Sequence, residues 1–468
     1  MLKHIIYKEI QSVAASPGMA ISFVIILLVM TINGLVFSVN YKQQRKKYNS
    51  TVVTNEAGLQ SSAQDLSVLA FYKQTLVLPP SQLGFIFQDQ TDKLPNAMEI
   101  NYFSENGPMY LKPLNDYLSS FRAVDWSFIF IFIISFICMA LAYNRFSGEK
   151  EKGTLRLILS NSVPRSTIVI GKLTGVFICI SIPVLLGLAV CLLTITLLSG
   201  IALTLSHAAV ILIFTAAAAL FILLNVLMGF LFSCIFPSST QSLNLFLVFW
   251  ILLAVIIPGA AWIIARQQIY VPTEASFNSA VLSEACAIRE DKKYSMAWKG
   301  RWEGQPPNEI VQRRAAGIKA SDTYVMKKKR EYMDLRVRQV RRAVSFAKIS
   351  PYSAFRFLCS GISGNGYSEF VRHYNQVLQY KSRLQEYVLI KDGQDPRSYH
   401  LLWNEPWACR TFFSHNPVPY SEIPRFSHKS RKPAAVFRHA GSDLLVLAAW
   451  CIVLFTAVWA AFIGYDVR

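Results

Sequence analysis

Charge is what this chain is short of. Only 16% of its 468 residues are Asp, Glu, Lys or Arg, against roughly a quarter in an average soluble domain. The shortage is concentrated. Residues 173–265 contain no Asp, Glu, Lys or Arg, and residues 126–143 are equally uncharged. Uncharged runs this long exclude a soluble globular protein, because about 20 apolar residues already cross the hydrocarbon core of a bilayer. The eight cysteines do not make a disulfide framework. Cys138, Cys179, Cys191 and Cys451 sit inside apolar runs and Cys234 near the end of one, where a thiol is a small hydrophobe. Cys286, Cys359 and Cys409 fall in polar sequence, an odd number that leaves one thiol over. The seven histidines lack metal-ligand spacing, and Cys409 with His415 is a single loose pair.

A nucleotide site is also missing. Gly148–Gly153 has the glycine spacing of a phosphate loop, but Thr154 stands where the lysine belongs and no strand precedes it. No cofactor is therefore expected in this chain.

What is present reads as an all-α polytopic membrane protein with six spans. Residues 1–18 place Leu2, Ile5, Ile6, Ile10 and Val13 at helical spacing, with Lys3, Lys8 and Glu9 elsewhere, ahead of Pro17-Gly18. This predicts an amphipathic helix in the membrane interface. Spans are expected at 19–39, 126–143, 167–198, 208–236, 241–265 and 444–464. The long charge-free stretch divides into three helices because backbone groups in lipid must be satisfied within each helix.

Two polar segments interrupt the spans. Residues 40–125 carry turn signals at Pro79-Pro80, Pro95-Asn96 and Gly107-Pro108 and predict a small domain. Residues 266–441 form a larger basic domain. Residues 265–441 hold 30 Lys and Arg against 15 Asp and Glu, most of the net +19. Within it, 309–348 and 368–390 each carry an apolar helical stripe, with Gly361, Gly364 and Gly366 between them. Together they predict a long helical hairpin. Its polar surface bears Lys327, Lys328, Lys329, Arg330, Arg336, Arg338, Arg341 and Arg342. A solvated helix face explains such a cluster; so does an anionic partner such as lipid or an acidic extracytoplasmic protein. Asn33, Asn225 and Asn244 lie within spans, where they either line a path or bond neighbouring helices.

Charge does not settle orientation. The short loop 144–166 has five basic residues, which favours the cytoplasm. Basic residues also follow the first span (Lys42, Arg45, Lys46, Lys47) and precede the last (Arg425, Lys429, Arg431, Lys432, Arg438).

The loop 144–166 is the one densely charged segment squeezed between spans. Its core is Glu149, Lys150, Glu151, Lys152, Gly153, Thr154, Leu155 and Arg156. A short polar element there is suited to receive a partner at the membrane face: charges for contact, Gly153 for a tight turn, and Leu155, Leu157 and Ile158 as apolar anchors. Helix-end flanking charges are the plainer reading of the same residues.

Residues 121–172, FRAVDWSFIF…YNRFSGEKEKGTLRLILSNSVPRSTIVIGK, resemble the permease subunits of type-2 ABC transporters. They are most similar to the branch associated with gliding motility and nitrous-oxide-reductase maturation. The shared features are Asp125 before span two, Glu149 with Gly153-Thr154-Leu155, Pro164-Arg165, Gly171-Lys172 and the closing Tyr465–Arg468. A proline common in span two of that family is absent here. The resemblance covers the membrane core well and the polar domains poorly. It implies that Glu149–Arg156 couple the spans to an ATP-binding subunit, present in two copies, which holds ATP and Mg. It also implies a second permease copy or paralogue, a bacterial cytoplasmic (inner) membrane, cytoplasmic termini and two extracytoplasmic domains. That placement excludes nucleic acid as a partner. Three functions follow as alternatives: substrate export, ATPase-driven movement that assembles or matures an external protein, or a membrane-anchored binding protein with a basic ectodomain.

Overall fold

The computed structural model describes residues 2–88, 96–109, 124–160, 163–291, 293–294, 309–404, 411–429 and 433–464. Pro95, Phe121, Arg122, Cys409, Arg431, Lys432 and residues 465–468 lie outside these. The described chain is overwhelmingly helical, and six of its helices are long and apolar enough to span a bilayer.

Helix α1 (Leu2–Ala14) leads into α2 (Pro17–Ser62). Ser16 caps α2 by accepting from the Met19 amide, and Pro17 takes the first helical position, where a missing N–H costs nothing. The break expected at Pro17-Gly18 is therefore a capped junction. The helix that holds the first span does not stop near residue 39. It continues as one 46-residue helix, about 69 Å long, that carries the chain from the bundle into a polar head. A short helix α3 (Leu66–Phe71) and a three-stranded antiparallel sheet follow: β1 (Gln74–Val77), β2 (Ala97–Ile100) and β3 (Glu105–Met109). Gly107-Pro108, expected as a turn, lies in edge strand β3 beside a register shift. That is where a strand tolerates proline.

The second span, α4 (126–142), is capped by Asp125, whose carboxylate accepts from the Phe128 and Gln88 amides, each at 2.7 Å. It contains a π-helical stretch, Ile129–Ile134. The span thus carries an irregular turn without the proline. Helices α5 (Ser147–Glu151) and α6 (Thr154–Ser160) form the loop, and α7 (Arg165–Ser199), α8 (Leu205–Ile235) and α9 (Ser239–Gln268) are spans three to five. Span five also has a π-helical turn, Leu252–Ile256, just ahead of Pro258. Proline removes one helical hydrogen bond and crowds the preceding turn, which loosens that segment.

The head then builds from α10 (Glu274–Glu290), α11 (Glu309–Ala347), α12 (Pro351–Ser363) and α13 (Tyr367–Gly393), before the last span α14 (Pro433–Ile463). Helices α11 and α13 are the two predicted legs. They meet through Met333 and Val337 of α11 against Phe370, Tyr374, Val377 and Tyr380 of α13. Their connection is not a simple glycine turn. It is α12, which inserts among the spans. Phe355 stacks on Phe221 at 4.5 Å, and the Tyr352 hydroxyl donates to Asn225 Oδ1 at 2.7 Å. Asn225 is ten residues, about 15 Å, from the loop end of span four. An interrupted helix is tolerated at that depth because protein surrounds it and satisfies its ends. Ser350 caps α12, and its hydroxyl donates to the Leu253 carbonyl at 2.6 Å, inside the π-helical turn of span five.

Among the described residues, the spans and α12 share one core, while the head has three smaller clusters of its own. The cross-span asparagines divide. Asn33 and Asn225 bond neighbouring elements, Asn33 to the Val124 carbonyl and the Cys191 thiol. Asn244 is exposed.

Candidate functional site

The loop between spans two and three is built on salt links and helix ends. Span two ends at Tyr143, and the chain turns because Ser233 of span four offers its hydroxyl to two amides at once. Phe146 N and Ser147 N both donate to Ser233 Oγ at 2.9 Å. This fixes where α5 starts.

Each charged residue of α5 then goes to a different span. Glu149 pairs with Lys172 of span three at 2.6 Å. Lys172 is almost wholly buried; its ammonium also donates to the Arg145 carbonyl at 3.0 Å and lies over the Phe146 ring at 5.1 Å. Lys150 donates to the carbonyls of Cys234 and Phe236, the C-terminal end of span four. Glu151 accepts from the Ser239 amide at 2.7 Å and the Ser239 hydroxyl at 2.9 Å, at the start of span five. Cations at helix C-termini and carboxylates at N-termini satisfy otherwise unpaired backbone groups and complement the helix dipole. The loop is therefore clamped to three spans by three consecutive charges.

The amphipathic helix joins the same assembly. Glu9 is not among the apolar residues that mark the stripe of α1 in the sequence. It is buried, one turn from Val13, and meets Arg145 at 3.4 Å. The signal was in the sequence: Glu9 sits between Ile5 and Val13 at four-residue spacing, inside the apolar stripe. Helix α1 lies directly on span three because Gly171 and Gly175 leave room. A Cβ at Gly171 would come within 2.6 Å of Ile5 Cγ2, and one at Gly175 within 2.7 Å of Glu9 Cβ. Small residues four apart allow such close helix contact in membranes. Gly171-Lys172 thus has two physical jobs, seating α1 and pairing with Glu149.

The remaining charged and polar loop residues point outward, while Leu155 points in. Gly153 adopts φ +70°, a left-handed turn that a Cβ would strain, and separates α5 from α6. Leu155 is buried in the main core and anchors α6. Lys152, Thr154, Arg156 and Leu157 are exposed, Leu157 at 67%. Arg165, where the loop enters span three, donates to the Ile463 carbonyl at the end of span six. Of the eight residues singled out from sequence, Glu149, Lys150, Glu151 and Leu155 hold the loop in place. Lys152, Gly153, Thr154 and Arg156 form its outer surface. Sequence reasoning missed Glu9, Ser233 and Ser239, each at least 86 residues from its partner along the chain.

The basic residues of α11 are dispersed. Lys328 pairs with Glu331 at 2.8 Å, Lys329 donates to the Glu105 carbonyl at 2.9 Å, and Arg342 donates to Gln268 at 3.0 Å. Arg338 and Arg341 are exposed. In the head, Asp65, Ser67 and His415 gather in the manner of a hydrolytic triad. Both partners approach the same ring nitrogen, Nδ1, at 2.9 and 3.4 Å, whereas a relay needs the two nitrogens separately. Among the described residues, no group of three or more His, Cys, Asp or Glu side chains could hold a metal ion.

Six spans around a charge-clamped loop, with a polar head at the opposite end, define a multi-pass membrane permease. Residues 4–467 match the ABC-2 family transporter protein family, and the chain belongs to it. No curated protein matches the chain. Members of this family are the membrane components of ABC transporters.

Proposed function

We propose that this chain is the permease half of an ABC transporter whose ATP-binding subunits dock on the face formed by Lys152, Thr154, Arg156 and Leu157. One observation carries the reading. The loop's inner charges are spent on spans three, four and five, so a push on its outer face moves three spans together. ATP and Mg would be held by the partner, in two copies, opposite a second permease copy or a paralogue. Both termini and the loop would face the bacterial cytoplasm, and the head would lie outside.

Two measurements test this. Reversing both exposed charges, Lys152→Glu with Arg156→Glu, should lower co-purification of the ATP-binding subunit about tenfold, since rim charges steer and hold partners. Undiminished co-purification would remove the docking assignment. Single cysteines at the exposed positions Gln60 and Ser382, in a background without native cysteines, should react with an impermeant reagent in intact cells. Reaction only after lysis would invert the orientation.

A second reading has its own support. Helix α2 runs unbroken from the bundle into the head, and α12 is wedged between head and spans. Loop movement would therefore reach the head mechanically, and the complex would act on an external protein without passing a substrate. Head movement that depends on ATP, in a complex that transports nothing, would favour it.

A further inference from the structure

The head meets the spans along an antiparallel zipper between span five with its extension and α11. Going toward the bundle, Arg289 donates to Ser321 Oγ at 3.0 Å and Tyr332 to the Pro272 carbonyl at 3.1 Å. Gln339 donates to the Ile269 carbonyl at 2.7 Å, and Arg342 to Gln268 Oε1 at 3.0 Å. This register fixes the height of every α11 residue relative to the membrane. The charge-free run ends at Ala265. Gln268 is three residues, about 4.5 Å, beyond it. The headgroup zone on each side of the hydrocarbon is about 5–7 Å thick. Arg341 and Arg342 therefore lie at headgroup height with Arg266, and Arg338 lies one turn further out.

All four arginines are exposed. Among the described residues none of them forms an ion pair, whereas Lys328 and Lys348 of the same helix do. The nearest acid along α11 is Asp334, exposed and one turn outward of Arg338. The Arg342 guanidinium is already held, by Gln268 and over the Phe346 ring at 5.4 Å. The surface beside it is amphipathic in the manner of a membrane interface. Trp262 is 42% and Tyr270 79% exposed, one on each side of Arg266. Aromatic residues gather at this height, where one edge meets lipid and the other water.

We propose that Arg266, Arg338, Arg341 and Arg342 form a binding site for anionic phospholipid headgroups, with Trp262 and Tyr270 seating the adjacent glycerol and upper chain. A guanidinium matches a phosphate diester with two parallel hydrogen bonds, and several of them at one height favour a headgroup whose phosphate charge is not offset by a cationic group. A second copy of the chain is disfavoured as the occupant, since it would bring like charges together. The site splits the basic cluster of α11 in two: Arg338–Arg342 serve the bilayer, and Lys327–Arg330 stand about three turns above it.

The experiment uses the full-length chain purified from mixed vesicles of phosphatidylglycerol and phosphatidylcholine. Retained lipid is counted by mass spectrometry at low and high salt. Wild type should retain phosphatidylglycerol at least tenfold over phosphatidylcholine at low salt and lose that preference in 0.5 M NaCl. Each arginine at an anionic surface contributes about fivefold, so Arg338→Gln with Arg341→Gln and Arg342→Gln should reduce the preference at least tenfold. The matching triple lysine variant should keep most of it. Lys327→Gln with Lys328→Gln and Lys329→Gln should leave it unchanged.

The proposal fails if wild type shows no preference, if the preference survives high salt, or if both glutamine triples lose it equally. It also fails if the arginine variant changes oligomeric state while lipid retention stays the same, which would make this face a contact between copies. The wild-type salt series decides the matter even if the glutamine variant does not fold. The readout is bound lipid, so it is independent of whether an ATP-binding subunit docks on the loop.

Discussion

The Lys172 ammonium lies 2.6 Å from the Glu149 carboxylate, joining span three to the loop helix from within a nearly dry pocket. Both residues belong to the motif that marks the loop in the sequence, yet neither is at its outer surface. Their role is to make the loop rigid against the spans.

Breaking this pair leaves a buried ammonium with one carbonyl partner. Glu149→Gln should destabilise the purified protein by about 1–3 kcal/mol, less than for a fully buried pair because Glu149 retains some solvent access. The exchange Glu149→Lys with Lys172→Glu should recover part of that loss. Thermal unfolding in detergent measures both. If the double exchange melts no higher than Glu149→Lys alone, the pairing does not hold the loop.

Helix α1 should leave its seat when Gly171 gains bulk. Gly171→Leu places a side chain where Ile5 already stands, at 2.6 Å from the first added carbon. Limited proteolysis should then cut within residues 2–14 at least several-fold faster than in wild type, while Gly259→Leu, where a Cβ meets nothing within 4 Å, should not change it. Equal cleavage of the two variants would remove the close-packing argument.

The wedge helix α12 is held by the hydroxyl of Tyr352. Tyr352→Phe leaves Asn225 Oδ1 without that donor, at a cost of about 1 kcal/mol, since interhelical hydrogen bonds in membranes are individually modest. Asn225→Leu in the same background should recover stability, because replacing both partners removes the unsatisfied group. A melting temperature unaffected by Tyr352→Phe would show that the bond contributes nothing.

The head should lose stability in acid. His373 is buried against Phe426 and His428, with ring centroids 5.7 Å away in both cases. Burial, with the charge of His428 second, pushes its pKa down to about 4, and Glu369 opposes the shift. Arg372 and His428 both contact that carboxylate. A histidine with a depressed folded pKa stabilises fully above its unfolded value of about 6.5, and that stability fades as pH falls toward 4. Its full extent is about 3 kcal/mol. His373→Gln should flatten this part of the stability profile between pH 6.5 and 4. An unchanged slope in the variant would assign the acid sensitivity elsewhere.

Much of this protein was legible without coordinates. The six spans follow from uncharged runs of the right length, since lipid leaves no other partner for backbone groups. The charged loop was visible because charge is so scarce around it. Helices α11 and α13 showed in their apolar stripes. These are local properties, set by composition and periodicity within a few turns.

Only the tertiary structure decided what the loop charges do. From sequence, Glu149, Lys150 and Glu151 are three neighbours of equal standing. In the fold they belong to spans three, four and five, because Lys172, Cys234 and Ser239 come to one end of the bundle. Glu9 could not be paired with Arg145, 136 residues away, until α1 was laid on Gly171 and Gly175. The 13 residues of α12 are too few to span a bilayer and not distinctive enough to announce an insertion. Their depth is set by Asn225 and Leu253 on other helices. Long-range pairing of single polar atoms leaves no periodic trace in a chain, so composition and spacing located the loop while the fold alone divided it into residues that clamp it to the spans and residues exposed on its outer surface.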